Sequence, residues 1–155
     1  MSTSAVPAER LESFPVRVPV PTRWADNDMY GHLNNAVYYQ IFDTVINGWL
    51  ADHVGTSPVE APVRGVVAES SCRFLAEVGF PDPLVVGLRV ERLGHSSVTY
   101  VLGMFRDRAD PVLVALGRWV HVYVDTATRR SVSIPEQLRE VLHKAVPEND
   151  TSAAT

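Results

Sequence analysis

One cysteine, one lysine and no long apolar run: the sequence is marked first by what it has little of. Cys72 alone allows neither a disulfide within the chain nor a cysteine cage for a metal, and a reducing cytoplasm is the expected setting. The N-terminal segment MSTSAVPAERLESFP has no apolar signal core, and no later stretch approaches the roughly 20 apolar residues that span a bilayer. Neither export nor membrane insertion is therefore expected. An excess of positive charge is also missing. At a net charge of −4 the chain lacks the basic face that general nucleic-acid binding needs, so any anionic ligand must be met by a local cluster. Lys144 is the only lysine among the basic residues, an arginine bias that decides little about function.

What is present reads as one domain. Hydrophobic residues make up 46% of the chain and charged residues 21%, and a chain of this length buries about two thirds of its unfolded surface. Residues 1–12 and 147–155 are small, polar or charged without periodicity, and are expected to be disordered tails around a domain over 13–146. From Val16 to Trp24 apolar residues alternate with Arg17, Pro19, Pro21 and Arg23, the period of a half-buried strand that its prolines place at a sheet edge.

After a polar loop, Asn34 is a candidate N-cap for a helix rich in Val37, Tyr38, Tyr39, Ile41, Phe42, Val45, Ile46, Trp49 and Leu50. Only a narrow polar stripe remains at Gln40, Asp43, Thr44 and Asn47, so this helix is expected to be wrapped by other elements. Four strand-like runs follow, Val63–Val78, Leu84–Leu93, Ser97–Arg106 and Val112–Asp125, with hairpin-length separators at 94–96 and 107–111. A short helix is expected over Pro135–Lys144, with Ser133 and Glu136 at capping-box spacing. A curved antiparallel sheet of about five strands around one long buried helix is an α+β hotdog fold. Its free edges, and an outer face on which Trp119 is expected, predict edge-to-edge self-association as a homodimer or a dimer of dimers.

Chemistry-bearing residues concentrate at Asp26, Asp28, Gly31, His32, Asn34 and Asn35. D-x-D-x-x-G matches the start of a calcium loop, but Tyr30 and Val37 stand where two oxygen ligands belong. A D-x-D phosphatase needs a parallel doubly wound sheet, and no βαβ alternation is visible. Zinc finds no second pair of ligands beside Asp26, Asp28 and His32, so no metal site is expected. Turn and cap hydrogen bonds alone are the plainest reading of these side chains. Against it, a loop that runs into the N-terminus of an apolar helix places unpaired N–H groups where a developing oxyanion can be held, with a carboxylate a few residues before.

The pattern D-x-D-x-x-G-H-x-N-N-x-x-Y, between a strand and an apolar helix, resembles the signature of hotdog-fold acyl-CoA thioesterases of the 4-hydroxybenzoyl-CoA thioesterase-like superfamily, in its fatty acyl-CoA branch. By that resemblance Asp28 is the catalytic carboxylate, the Asn35 N–H binds the oxyanion, Gly31 permits close backbone approach, and His32 and Asn34 shape the loop. The resemblance also places Tyr38 beside the acyl chain and Asp26 as organiser of the loop, and makes Arg92, Ser96 and Ser97 candidates for holding the coenzyme A phosphates, where the other reading is an ordinary hairpin turn. Arg64, Arg73, Arg129 and Arg130 are further candidates for the anionic tail. Asp43 reads as structural and His121 as a packed histidine. No cofactor is implied, because coenzyme A is part of the substrate. Alternatives are an acyl-carrier-protein thioesterase, a hydratase pairing His32 with Asp28, and a non-catalytic acyl-thioester-binding protein.

Overall fold

Period-two alternation decides the sheet. In the computed structural model, which describes residues 9–55 and 59–148, five strands form: β1 (Val16–Val20), β2 (Val63–Phe74), β3 (Leu84–Leu93), β4 (Ser97–Arg106) and β5 (Val112–Asp125). All pairings are antiparallel and the order is β1-β3-β4-β5-β2. Proline-bearing β1 stands at one edge, as its missing N–H groups require. Register shifts between Val67 and Glu69, Val90 and Arg92, and Met104 and Phe105 bend three of the strands and curl the sheet. The expected tails fall partly at 1–8 and 149–155, outside the described residues, while Leu11–Ser13 make a 3-10 turn.

Helix α1 (Asn35–Val54) lies in the concave face of that sheet. Asn34 Oδ1 caps it by accepting the Ala36 N–H at 3.0 Å, and Gly55, at φ +68°, ends it by donating to the Ala51 carbonyl at 3.2 Å. Tyr38, Ile41, Phe42, Val45, Ile46 and Trp49 are buried, at about 1.5–3 kcal/mol for each such large apolar side chain. Only this face is covered. Tyr39, Gly48 and Ala51 join the polar stripe on an exposed face, so the helix is half wrapped by its own chain rather than enclosed. The apolar count along the helix exceeds what a single sheet can cover.

Packing against α1 also decides the parity of β5. Trp119, His121 and Tyr123 point inward and are buried, which corrects the expectation of Trp119 on the outer face. Both parities of this strand are apolar, and the choice falls to Gly117: a Cβ there would stand 2.9 Å from the Phe42 ring, and Trp119 meets the same ring at 5.5 Å. On the convex side a second cluster forms from Phe14, Val85, Val101 and Phe105. Phe14 seats over Gly87 and Gly103, and Arg89 stacks on its ring at 4.8 Å while pairing with Glu9 at 2.7 Å. Helix α2 (Glu136–His143) has Pro135 at its N-cap position with no side-chain cap, so Ser133 does not serve. Arg139 Nη2 instead donates to the carbonyls of Gly94 and His95, at 3.0 Å each, and ties the helix to the β3–β4 hairpin.

Candidate active site

The loop from β1 to α1 is stapled from three directions. Trp24–Asp26 form a 3-10 turn, in which the buried Asp26 carboxylate accepts from the Arg23 backbone N–H at 2.8 Å and from Arg23 Nε and Nη2 at 3.0 and 2.8 Å. The Asp26 carbonyl takes the Asn34 N–H at 2.9 Å. Both carboxylate oxygens are thus engaged by Arg23, and the two aspartates do not form a shared cation site. Asp26 is the organiser of the loop.

Between Asn27 and Leu33 the chain folds back on itself through an isolated antiparallel bridge. The Asp28 N–H donates to the His32 carbonyl at 2.8 Å and the Gly31 N–H to the Asp28 carbonyl at 3.1 Å, a reversal that puts Gly31 at φ +80°, where a side chain is strained. Asp28 Oδ1 accepts the Tyr30 N–H at 2.9 Å, which fixes the carboxylate on its own loop. Leu33 donates to the Val78 carbonyl at 2.8 Å. Gly79 closes the seam, since a Cβ there would stand 2.8 Å from the Gly31 carbonyl oxygen and 2.9 Å from Asn27 Oδ1. Gly79→Ala should therefore displace the loop and lower turnover about 10²-fold, as small misplacements of reacting groups do. Steady-state rates beside a thermal melt check this, with the loss in rate expected without loss of fold.

At the start of α1 the Ala36 N–H is taken by the Asn34 side chain and the Val37 N–H by the Asn34 carbonyl at 2.9 Å. The Asn35 N–H has no acceptor among the described residues. Asn35 lines a pocket of about 370 Å³, with Asp28, Tyr30, His32 and Tyr38 on the same side and Phe74–Glu77 on the other. Tyr38 is buried and meets Phe74 edge-on at 4.9 Å. Burial first, then the neighbouring Cys72 and Asp28, push the Tyr38 phenol up, and burial pushes the Cys72 thiol up to about 11. Both stay protonated near neutral pH, so Cys72 is no ready nucleophile. The His32 ring turns to Glu77, with Nε2 3.3 Å from Oε2, and no bond joins it to Asp28 among the described residues.

Four of the residues singled out in the sequence, Asp28, His32, Asn35 and Tyr38, thus share one pocket, and Gly31 and Asn34 build its loop and cap. Arg92, Ser96 and Ser97 do not line it. They sit on the β3–β4 hairpin, where the Ser96 and Ser97 carbonyls accept from Tyr123 and Gly94 at 2.8 Å. Asp43 lies on the exposed face of α1, its carbonyl accepting from Asn47 Nδ2 at 2.8 Å. The wall at Phe74–Glu77 and the seam at Gly79 are not legible in the sequence, because extending β2 to Val78 hides the point where the chain leaves the sheet.

Residues 22–142 match the thioesterase-like superfamily. Among solved structures the chain is similar to the PA5185 protein from Pseudomonas aeruginosa, with 42% identity over 88% of this chain and 95% of that one, at a TM-score of 0.83. A 1,4-dihydroxy-2-naphthoyl-CoA thioesterase from Synechocystis shares the fold at 16% identity, 82% and 94% coverage and a TM-score of 0.75. So does a Staphylococcus aureus protein solved in complex with CoA, at 21% identity, 84% and 85% coverage and a TM-score of 0.75. No curated protein matches. The chain belongs to the thioesterase-like superfamily, and the class of activity that goes with this membership is thioester hydrolysis.

Proposed function

We propose that this protein hydrolyses an acyl-CoA thioester to the free carboxylic acid and coenzyme A, with Asp28 as the catalytic carboxylate and the Asn35 N–H as the oxyanion donor. The observation that supports this is the meeting of Asp28 and Asn35, the first residue of α1, in the lining of one pocket. The thioester carbonyl oxygen sits at the helix N-terminus, where N–H groups and the helix dipole stabilise the negative charge that develops on it. Asp28 takes the proton of a water as that water attacks the carbonyl carbon, or attacks the carbon itself to give a mixed anhydride that water then opens. Either way the tetrahedral oxyanion collapses, the C–S bond breaks, and the sulfur leaves as thiolate. With a thiol pKa of about 8.5, that departure needs little help from a general acid. Release of free thiol from acetyl-, hexanoyl-, benzoyl- and palmitoyl-CoA tests the reading. Tight binding of these compounds without turnover would instead favour a non-catalytic acyl-thioester-binding protein.

The working unit of this reading is a homodimer joined along β2. That strand is at a sheet edge, and Val66, Val67 and Phe74 are 42%, 48% and 47% exposed on it. Such an edge is a template for another strand. A two-fold partner adding its own β2 runs antiparallel, pairs residues near the strand centre with themselves, and covers the exposed face of α1. Val67→Lys then sets like charges close together at the axis. Light scattering should show the wild type at twice the chain mass and the variant shifted towards one chain, with the melt of the monomer fold retained.

A further inference from the structure

Asp28 is held only by its own turn. Its N–H bonds to the His32 carbonyl, its carbonyl to the Gly31 N–H and its Oδ1 to the Tyr30 N–H, so among the described residues every hydrogen bond of Asp28 stays within residues 28–32. Such a turn keeps its shape yet is free to swing as a unit against the start of α1. A carboxylate that shares one carbonyl with a helix N-terminus needs that freedom removed, since a misplacement of about 1 Å costs about 10²-fold in rate. The side chain one residue earlier supplies the restraint.

Asn27 fills the x between the two aspartates of the D-x-D pattern. Its side-chain amide faces the backbone of Phe80: the Phe80 N–H donates to Asn27 Oδ1 at 2.9 Å, and Asn27 Nδ2 donates to the Phe80 carbonyl at 3.4 Å. An amide carries a donor and an acceptor side by side and so pairs with both groups of one residue. The shorter bond is the stronger, and the longer one lies at the edge of hydrogen-bond range. On the other leg of the turn the Leu33 N–H donates to the Val78 carbonyl at 2.8 Å, and an isolated bridge joins Leu33 to Asn27. Both legs are thus tied to residues 78–80, one through the main chain and one through a side chain.

That segment is itself fixed to the sheet. Arg106, at the end of β4, donates from Nη2 to the Glu77 carbonyl at 2.5 Å, and Thr22 Oγ1 donates to the Asp82 carbonyl at 2.8 Å. Asn27 is absent from the lining of the Asp28 pocket, so any effect it has on a reaction there passes through Asp28. We propose that Asn27 is a positioning residue, whose amide grip on Phe80 sets where the Asp28 carboxylate stands relative to the first residue of α1. This rests on the thioesterase reading above.

Two variants separate positioning from bulk stability. Asn27→Leu has a similar shape and deletes both bonds, whereas Asn27→Asp keeps the acceptor for the Phe80 N–H. On a hydrolysed acyl-CoA at about pH 8, where both carboxylates are ionised, Asn27→Leu should lower kcat about 10²-fold with KM within about twofold of the wild type. Asn27→Asp should lose less than about tenfold, because the stronger bond survives. A readout without substrate runs beside the kinetics: the amide NMR signals of Asp28 and Tyr30 should shift or broaden in Asn27→Leu, while those of Val45 and Ile46 inside α1 stay in place. An undiminished kcat in Asn27→Leu, an equal loss in Asn27→Asp, or Asp28 and Tyr30 signals that do not move overturns the proposal. If the wild type releases no thiol from any acyl-CoA, the thioesterase reading fails, and the Asp28 and Tyr30 signals still decide whether Asn27 places the turn.

Discussion

Asp28→Asn is expected to lower kcat by about 10²–10⁴-fold, the range that a positioned general base contributes. That corresponds to roughly 3–5.5 kcal/mol of transition-state stabilisation. The substitution is chosen for what it keeps. Asn has the same shape, and its oxygen can still accept the Tyr30 N–H that Asp28 Oδ1 accepts at 2.9 Å, so the loop retains its geometry while the negative charge is lost. An amide is neither a base for water nor a nucleophile towards the thioester. KM should therefore change little, since substrate binding in this reading rests on the pocket walls and the helix N-terminus. Steady-state kinetics on a hydrolysed acyl-CoA, with circular dichroism to show the fold intact, check both parts.

Asn35→Pro carries the second large effect, and it addresses a backbone group that no side-chain truncation reaches. Proline removes the N–H at the first position of α1 without breaking the helix, because that amide makes no intrahelical bond. The residue before it already suits a proline: Asn34 has φ −60° and ψ 138°. The expected result is a loss of about 10²–10³-fold in kcat, the cost of deleting one oxyanion donor. The melting temperature should stay close to that of the wild type. A drop in stability as large as the drop in rate would mean that the substitution acts through the cap at Asn34 and not through the oxyanion.

Both predictions concern residues that the sequence placed together, and the reason is local. Asp28, Gly31, His32, Asn34 and Asn35 fall within one short stretch, where turn chemistry, a positive-φ glycine and an N-cap are decided by neighbours along the chain. The limits of β3, β4 and β5 were legible for the same reason, being alternation bounded by turn residues. What the sequence concealed depends on contacts between distant segments. The parity of β5 turns on Gly117 admitting the Phe42 ring. The seat of Phe14 on the convex face needs Gly87 and Gly103, which read in the sequence only as gaps in two strands. The second wall of the candidate site, Phe74–Glu77, comes from the far end of β2, and the close approach of Gly79 to Gly31 and Asn27 joins segments far apart in the chain.

The apolar excess of α1 is a third case. Its pattern reads as a helix enclosed on all sides, whereas one chain covers only the face of Phe42, Ile46 and Trp49. The remaining face, with Tyr39, Gly48 and Ala51, is accounted for by the two-fold partner proposed along β2. In that reading the sequence pattern registers a burial of which a single chain shows only part.

The central claim is that the carboxylate of the loop and the first amide of α1 act on the same thioester. Its most direct test is free-thiol release from a hydrolysed acyl-CoA by equal amounts of folded wild type, Asp28→Asn and Asn35→Pro. The account predicts ready release by the wild type and a loss of at least about 10²-fold in each variant. An undiminished rate in Asp28→Asn, or no release by the wild type from any acyl-CoA in the panel, would contradict it.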